Sequence, residues 1–208
     1  MHLRVLGIDP GSRFCGFGVV EDAGGARFRH LQHGVIALDE RAPIEERLAA
    51  LHAALARALA EHRPALVAVE EVYFARNPRS ALVLGQARGV ALLAAAQAGA
   101  VVRSFSAAVI KQAVTGSGRA EKEQVGRMVD VLLGITVHAR ADASDALAAA
   151  ICGLLRARDP ALASSREVPA GRAAPGPALR LAELIAQAKA QGRSGRGVFS
   201  RPRRKVRG

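Results

Sequence analysis

The chain has 208 residues, half of them hydrophobic, and a formal net charge of +12, which gives enough apolar material for one packed domain. Its apolar stretches are too short to cross a bilayer, so we predict no membrane segment and no signal peptide. The two cysteines, Cys15 and Cys152, argue against a disulfide framework and fit buried residues in a reducing cytoplasm, where we expect the protein.

Three strands are predicted at the start of the chain. Apolar runs over 3–9 and 14–20 flank a Pro-Gly turn signal, and alternating polar and apolar residues over 27–37 follow a second turn. Strands joined by turns this short favour an antiparallel meander. Asp9 then lies at the carboxyl end of the first strand, where α/β sheets commonly bind ligands, although it could equally do no more than begin the turn.

The remainder of the folded region is predicted to be mainly helical. We predict helices from Pro43 to just before Pro64, over 78–98, 106–114, 120–133 and 143–155, and strands over 66–71 and 100–105. This order predicts an α/β fold in which helices flank a mixed five-stranded sheet. Gly85 and Gly89 lie on one face of the 78–98 helix, which indicates close approach either of a second subunit or of the sheet.

The C-terminal region differs in charge from the rest of the chain. Residues 1–155 contain 17 Lys and Arg against 15 Asp and Glu, whereas residues 156–208 contain 13 against 3. We therefore predict a folded domain over 1–158 and a basic, flexible tail over 159–208, with a short helix near 179–191. Such a tail indicates a polyanionic partner.

Four carboxylates have positions that indicate a metal site. Asp9 and Glu70 each end an apolar strand, and Asp142 and Asp145 lie three residues apart at a helix start, so they share one face. Helix capping explains one of the helix acids, but it does not explain two acids together with two carboxylates that end strands. Carboxylate oxygens suit Mg²⁺ or Mn²⁺, and such a set could hold two ions for phosphodiester hydrolysis.

Two residues near these acids leave alternatives open. Glu71 follows Glu70 and would point to the opposite face of the strand, but the sequence alone barely separates the two. His138 lies one helical turn before Asp142, and a role at the surface or behind the ligands is favoured over direct metal binding. The sequence does not decide whether His138 contributes to the site.

A basic loop lies between two of the predicted helices. Gly116 and Gly118 in this loop could present backbone amides to phosphate. Lys111 and Lys122 on either side are equally compatible with solvated helix faces. Tyr73, the only tyrosine, is suited to stacking on a nucleic-acid base.

Five stretches of the sequence together form a specific pattern: GIDPGSR at 7–13, VAVEEVYFARN at 67–77, SALVLGQARGVA at 80–91, KQAVTGSGRAEKEQV at 111–125 and ADASDALA at 141–148. In this order and with this spacing they closely resemble the RuvC-type Holliday junction resolvases, which have a ribonuclease H-like fold. The resemblance implies a metal-dependent endodeoxyribonuclease that resolves four-way DNA junctions by paired symmetric nicks in recombination and repair. A related nuclease acting on other branched DNA or on RNA is the alternative.

The resemblance also assigns roles to individual residues. The family's catalytic, metal-binding acids fall on Asp9, Glu70, Asp142 and Asp145, which favours Glu70 over Glu71. Its DNA-contacting positions fall on Lys111 and Lys122, with Arg76 and Arg119 nearby, and the aromatic position that contacts an unpaired base falls on Tyr73. The resemblance further implies a homodimer and association with a branch-migration complex of RuvA- and RuvB-type proteins. From the carboxylate set we expect Mg²⁺ or Mn²⁺ as the cofactor, two ions per subunit.

Two other functional classes fit the sequence less well. GIDPGS at 7–12 also resembles the first phosphate loop of actin-like ATPases, but those proteins need a second, similar domain, for which 208 residues leave no room. A non-catalytic nucleic-acid-binding protein would explain the basic tail. It would not explain the carboxylates, which repel phosphate unless a metal lies between them.

Overall fold

The computed structural model describes residues 2–25, 27–71, 78–136 and 141–158. In chain order the elements are β1 (Arg4–Asp9), β2 (Phe14–Gly24), β3 (Arg27–Ala37), α1 (Ile44–His62), β4 (Leu66–Glu70), α2 (Pro78–Gln97), β5 (Val101–Phe105), α3 (Ala107–Thr115), α4 (Lys122–Leu133) and α5 (Ala141–Arg158). The tail predicted over 159–208, with its helix near 179–191, lies outside the described residues.

The strands form one mixed sheet in the order β3-β2-β1-β4-β5. The first three strands are an antiparallel meander, and β4 and β5 continue the sheet in parallel on the other side of β1. This confirms the predicted mixed five-stranded sheet. Because β1 and β4 are parallel neighbours at its centre, their carboxyl ends meet at one edge of the sheet.

Several helices begin at residues other than those predicted. Pro43 precedes α1 instead of opening it, with an extended backbone at ψ 149°. Glu121 is likewise extended, at φ −71° and ψ 156°, so α4 begins at Lys122 and not near residue 120. α5 begins at Ala141, two residues earlier than predicted, which places Asp142 within its first turn.

Two hydrophobic layers cover the two faces of the sheet. On one face α5 packs across the strands together with α3 and α4, and Leu147 and Ile151 of α5 are fully buried. On the other face α1 and α2 cover the strands, with Leu51 and Leu55 fully buried.

In the part of the chain that the structure describes, no helix is long and apolar enough to span a membrane.

The backbone of α5 lies in direct contact with the backbones of β1 and β2. A Cβ atom on Gly7 would lie 1.9 Å from the carbonyl oxygen of Ala146, and one on Gly16 would lie 1.9 Å from that of Asp142. Any side chain at either position would therefore push the helix away from the sheet. The two glycines set the distance between α5 and the central strands.

The two glycines of α2 have the opposite environment. A Cβ atom on Gly85 or on Gly89 would meet no atom of the described chain within 4 Å. Close packing onto the sheet, one of the two explanations considered for them, is therefore wrong. The face of α2 that packs onto the sheet carries buried alanines instead, among them Ala87 and Ala91.

We predict that Gly7→Ala destabilises the protein by on the order of 3 kcal/mol, because the new methyl group overlaps the α5 backbone. Gly126→Ala in α4 is the matched control and should stabilise the chain by up to about 1 kcal/mol, since its Cβ would meet only an ordinary contact at 3.6 Å and alanine favours a helix interior. Urea denaturation followed by circular dichroism measures both changes. Equal stabilities of the two variants would contradict the close contact between α5 and β1.

Candidate active site

Two of the four predicted carboxylates lie at the carboxyl ends of β1 and β4. Ile8 pairs with Val69 in the parallel ladder, so Asp9 and Glu70 follow at the same level on adjacent strands. Glu70 is half-buried and close enough to Asp9 to raise the pKa of that carboxyl, whereas Glu71 is exposed. The structure therefore places Glu70, and not Glu71, beside Asp9. Strand β4 ends at Glu70, one residue earlier than predicted.

The other two carboxylates are brought to this edge by α5. Asp9 pairs with Gly16 across the antiparallel ladder, and the backbone of Asp142 rests against Gly16. The first turn of α5 is thus held over the end of β1. Asp145 follows three residues later on the same face of the helix, and both helix acids raise the pKa of Asp9. All four predicted acids therefore converge on one site.

The acidic cluster contains more negative charge than its surroundings neutralise. Burial raises the pKa of Asp9 from 3.8 to about 7, and repulsion from Glu70, Asp145 and Asp142 adds to the rise. Burial also raises the pKa of Glu70, with a further contribution from Asp145. A positive ion at this edge would counteract the repulsion and favour the charged form of both strand carboxylates.

The side chain of Lys122 reaches into the cluster from the start of α4. Its Nζ donates to Oδ2 of Asp145 at 2.6 Å, and this hydrogen bond raises the pKa of the lysine. One turn along α4, a Cβ atom on Gly126 would lie 3.6 Å from the hydroxyl of Ser144, so the two helices are in van der Waals contact there. Lys122 was predicted to contact DNA, and here it is paired with one of the acids.

The chemistry of the cluster fits a hard divalent cation. Its four side chains offer carboxylate oxygens, the donors that Mg²⁺ and Mn²⁺ prefer, and burial together with repulsion between the acids raises the pKa of Asp9. Within the described residues, no three His, Cys, Asp or Glu side chains are already arranged to hold an ion. Asp145 is paired with Lys122, so side chains of the cluster would have to move for an ion to bind.

The loop between α3 and α4 uses its backbone amides internally. The N–H of Gly116 donates to the carbonyl of Gln112 at 3.0 Å, and the N–H of Gly118 donates to Oε1 of Gln112 at 3.0 Å. The amide nitrogen Nε2 of Gln112 donates in turn to the carbonyl of Gly116 at 2.7 Å. The expectation that these two amides bind phosphate is therefore wrong, because they hold the loop in shape.

Of the other basic residues predicted to contact DNA, two are described and both lie around this loop. Lys111 is half-buried, and its charge lowers the pKa of Glu70. Arg119 is exposed on the loop itself. Tyr73, Arg76 and His138 lie outside the described residues.

Two contacts that build the site were not predicted from the sequence. The packing of α5 against Gly7 and Gly16 has a visible signal, since glycine inside a buried strand often marks the close approach of another backbone. The pairing of Lys122 with Asp145 joins residues 23 positions apart. It depends on how α4 packs on α5, and no pattern in the sequence shows that packing.

A mixed sheet of this order, with acids at the carboxyl ends of β1 and β4 beneath a final helix, is the architecture of the ribonuclease H-like nucleases. A family model described as "Crossover junction endodeoxyribonuclease RuvC" matches residues 5–153. The chain belongs to this family, the RuvC crossover junction endodeoxyribonucleases, which are metal-dependent nucleases.

Relatives of the same name share about half of their residues with this chain. One from Myxococcus xanthus (strain DK1622) is 52% identical over 188 residues, which covers 89% of this chain and 96% of the relative. One from Acidiphilium cryptum (strain JF-5) is 55% identical over 152 residues, covering 73% of this chain and 90% of the relative. The first alignment is long enough to reach beyond residue 158, so part of the tail has a counterpart in that relative.

Solved structures agree with the fold. "T. thermophilus RuvC in complex with Holliday junction substrate" superposes with a TM-score of 0.72 at 39% identity, covering 76% of this chain and 96% of that one. The yeast mitochondrial Holliday junction resolvase Ydc2 superposes with a TM-score of 0.53 at 14% identity, covering 72% of this chain and 78% of that one. The second likeness supports the fold alone.

We predict that Asp9→Asn stabilises the metal-free protein at pH 8, by at most about 4 kcal/mol. The pKa of Asp9 is raised from 3.8 to about 7, so the folded state holds a proton between these values that the unfolded state releases. Stability of the wild type therefore falls as pH rises from about 4 to 7, and the variant removes this loss. Urea denaturation in EDTA at pH 4, 6 and 8 measures the effect.

Glu71→Gln, which changes the neighbouring exposed carboxylate, is the control and should leave the pH dependence unchanged. If the free energies of unfolding of Asp9→Asn and wild type differ by the same amount at pH 4 and at pH 8, the raised pKa of Asp9 is contradicted.

Proposed function

We propose that this chain is a divalent-metal-dependent endonuclease that resolves four-way (Holliday) DNA junctions by paired symmetric nicks. The observation that carries the proposal is the convergence of four carboxylates on the carboxyl ends of β1 and β4, in a member of the RuvC family. The relatives named above are crossover junction endodeoxyribonucleases, and a structural neighbour is described in complex with a Holliday junction substrate. These relatives do not favour a nuclease for other branched DNA or for RNA.

We assign the metal-binding and catalytic roles to Asp9, Glu70, Asp142 and Asp145, with Mg²⁺ or Mn²⁺ as the ion and two ions per subunit. When bound, such ions supply the positive charge that activates water and stabilises the leaving oxygen. The sheet holds the backbones of Asp9 and Glu70 in place, and the contact with Gly16 holds the first turn of α5. The backbone therefore sets where the carboxylates can meet, and positioning of this kind is what in-line attack on a phosphodiester needs.

The protein's own residues determine the protonation of the metal-binding carboxylates. With its pKa near 7, Asp9 is partly protonated at neutral pH and must release its proton to become an ionised ligand. At Glu70 the charge of Lys111 acts in the opposite direction, because it lowers the pKa of that carboxyl and favours its ionised form. We therefore expect metal binding to release protons and to weaken as the pH falls below about 7.

Basic side chains around the acids provide the DNA-contacting surface in this proposal. Lys111 and Arg119 lie on and beside the braced loop, and Lys122 lies at the start of α4. Tyr73 and Arg76 are included from the family resemblance, Tyr73 as the side chain that stacks on an unpaired base. The tail over 159–208 adds 11 Lys and Arg residues and is proposed to strengthen DNA binding without sequence preference.

The central test is cleavage of a mobile four-way junction and of a matched linear duplex with Mg²⁺, Mn²⁺ or EDTA. Wild type should cut only the junction, at symmetric positions and only with metal. Asp9→Asn and Glu70→Gln should lower the rate by more than about a hundredfold, because changing residues that merely orient metal ligands already costs about 10–100-fold. Glu71→Gln is the matched control and should cut at close to the wild-type rate.

Three results would contradict this proposal in different ways. Equal cutting of the junction and the duplex would retain the nuclease and remove junction selectivity. Junction binding without cutting under any metal would indicate a non-catalytic role. Normal cutting by Asp9→Asn would remove Asp9 from the site.

We further propose that the chain is a homodimer whose interface includes the outer face of α2. Leu82, Gly85, Gly89 and Leu93 follow one another at helical spacing along this face, and the two leucines are 65% and 51% exposed. The absence of any described atom near the two glycines leaves room for another backbone to approach. An exposed apolar face of this kind is typical of a protein interface, and a dimer would provide two sites for paired nicks.

Leu93→Glu should convert the dimer to a monomer, because it would place a charge in an apolar interface. Light scattering coupled to size-exclusion chromatography measures the mass of each variant. Val131→Glu on α4 is the control, since Val131 is 75% exposed on another helix, and it should remain dimeric. A dimeric Leu93→Glu variant would exclude this face of α2 as the interface.

Two parts of the proposal rest on the family resemblance and on the chemistry of the substrate. Association with a branch-migration complex of RuvA- and RuvB-type proteins is proposed from the resemblance. A cytoplasmic location follows from a substrate that is cellular DNA, and it agrees with Cys15 and Cys152, which are both free thiols.

A further inference from the structure

Lys122 is placed where helix energetics disfavour a cation. It is the first residue of α4, and the exposed N–H groups at a helix start create a positive potential that opposes a lysine there. Its side chain turns to Asp145 at 2.6 Å and is also attracted by Asp9 and Asp142. The position of this charge is therefore explained by the acidic cluster and not by the helix.

The geometry points to Lys122 as an internal counter-ion of the acidic cluster, which leaves Asp145 when a divalent cation binds there. In the released position its ammonium group can face a DNA phosphate. This inference rests on the proposed function, since it concerns the same four acids, and it adds a competition between the protein's own cation and the metal ion.

Distances show why the two cations compete. Nζ of Lys122 lies 2.6 Å from Oδ2 of Asp145, and a Mg²⁺ or Mn²⁺ ion binds a carboxylate oxygen at about 2.1 Å. An ion on that oxygen would thus lie less than about 5 Å from the ammonium group, where repulsion costs about 1–4 kcal/mol per unit charge, depending on exposure to solvent. The arrangement also agrees with the finding that no three described side chains are ready to hold an ion.

Release of Lys122 is feasible because the lysine is only partly enclosed. Its side chain is 58% exposed, whereas the Asp145 side chain is 23% exposed. The lysine can therefore swing into solvent without disturbing packed neighbours, while the carboxylate stays at the site. A rigid, buried lysine would block the ion, but a half-exposed one can yield to it.

The test measures Mn²⁺ binding directly, with free Mn²⁺ detected by its electron paramagnetic resonance signal, in the full chain at pH 8. Lys122→Met should bind Mn²⁺ about tenfold more tightly than wild type, because it lacks the competing charge. Lys122→Arg keeps the charge and should stay within about twofold of wild type. Arg127→Met, which removes an exposed cation from the same helix, is the matched control and should also stay close to wild type.

A second measurement follows thermal unfolding in EDTA and in excess Mn²⁺. Lys122→Met should melt at a lower temperature than wild type in EDTA, because its acids have lost their internal counter-ion. Excess Mn²⁺ should raise its melting temperature by more than it raises that of wild type. In Arg127→Met, Mn²⁺ should raise the melting temperature by the same amount as in wild type. The two measurements together separate a counter-ion role from a general loss of stability.

The outcomes distinguish this inference from the proposed function. If Lys122→Met binds Mn²⁺ no more tightly than Arg127→Met, while wild type binds saturably, the counter-ion role is wrong and the metal-dependent nuclease stands. If wild type shows neither saturable Mn²⁺ binding nor stabilisation by Mn²⁺, the metal site itself is wrong, and the inference fails with it.

Discussion

The direct contact between the α5 backbone and the central strands is the constraint on which the rest of the structure depends. Gly7 and Gly16 leave no space for side chains, so the helix lies on the sheet at a distance that other residues would not allow. The same contact that buries Leu147 and Ile151 fixes the first turn of α5 over the end of β1. Core packing and the convergence of the carboxylates therefore have one cause, and a change that lifts the helix damages both.

Convergence of the acids makes the metal-free site electrostatically unfavourable. Asp9 is held in a largely buried position beside other carboxylates, which raises its pKa to about 7. A fold selected only for stability would avoid this arrangement, and strained charge of this kind is typical of functional sites. Lys122 offsets part of the repulsion through Asp145, so the cluster is tolerated when no cation is bound.

The local features of this fold could be predicted from the sequence, whereas features that depend on helix packing could not. Turn signals and apolar runs were sufficient for the five strands, and the end of a strand was sufficient to place Asp9 at the sheet edge. The choice of Glu70 over Glu71 needed the family resemblance, and the exposure of Glu71 now agrees with it. The partner of Lys122 and the bracing of Gly116 and Gly118 by Gln112 depend on three-dimensional neighbours, which neither periodicity nor spacing encodes.

Two carboxylates in this sheet, one buried and one half-buried, illustrate how pairing separates structural from functional acids. Glu21 on β2 is 3% exposed, and its two oxygens accept hydrogen bonds from Arg4 and Arg29 on the adjacent strands, which lower its pKa. Asp9, at the opposite end of β1 from Arg4, has acids as its neighbours, and its pKa is raised. Both carboxylates cost desolvation energy, but only Glu21 recovers it within the fold. Asp9 needs a charge from outside the chain, and this need is the physical reason to place the metal-dependent chemistry at its end of the sheet.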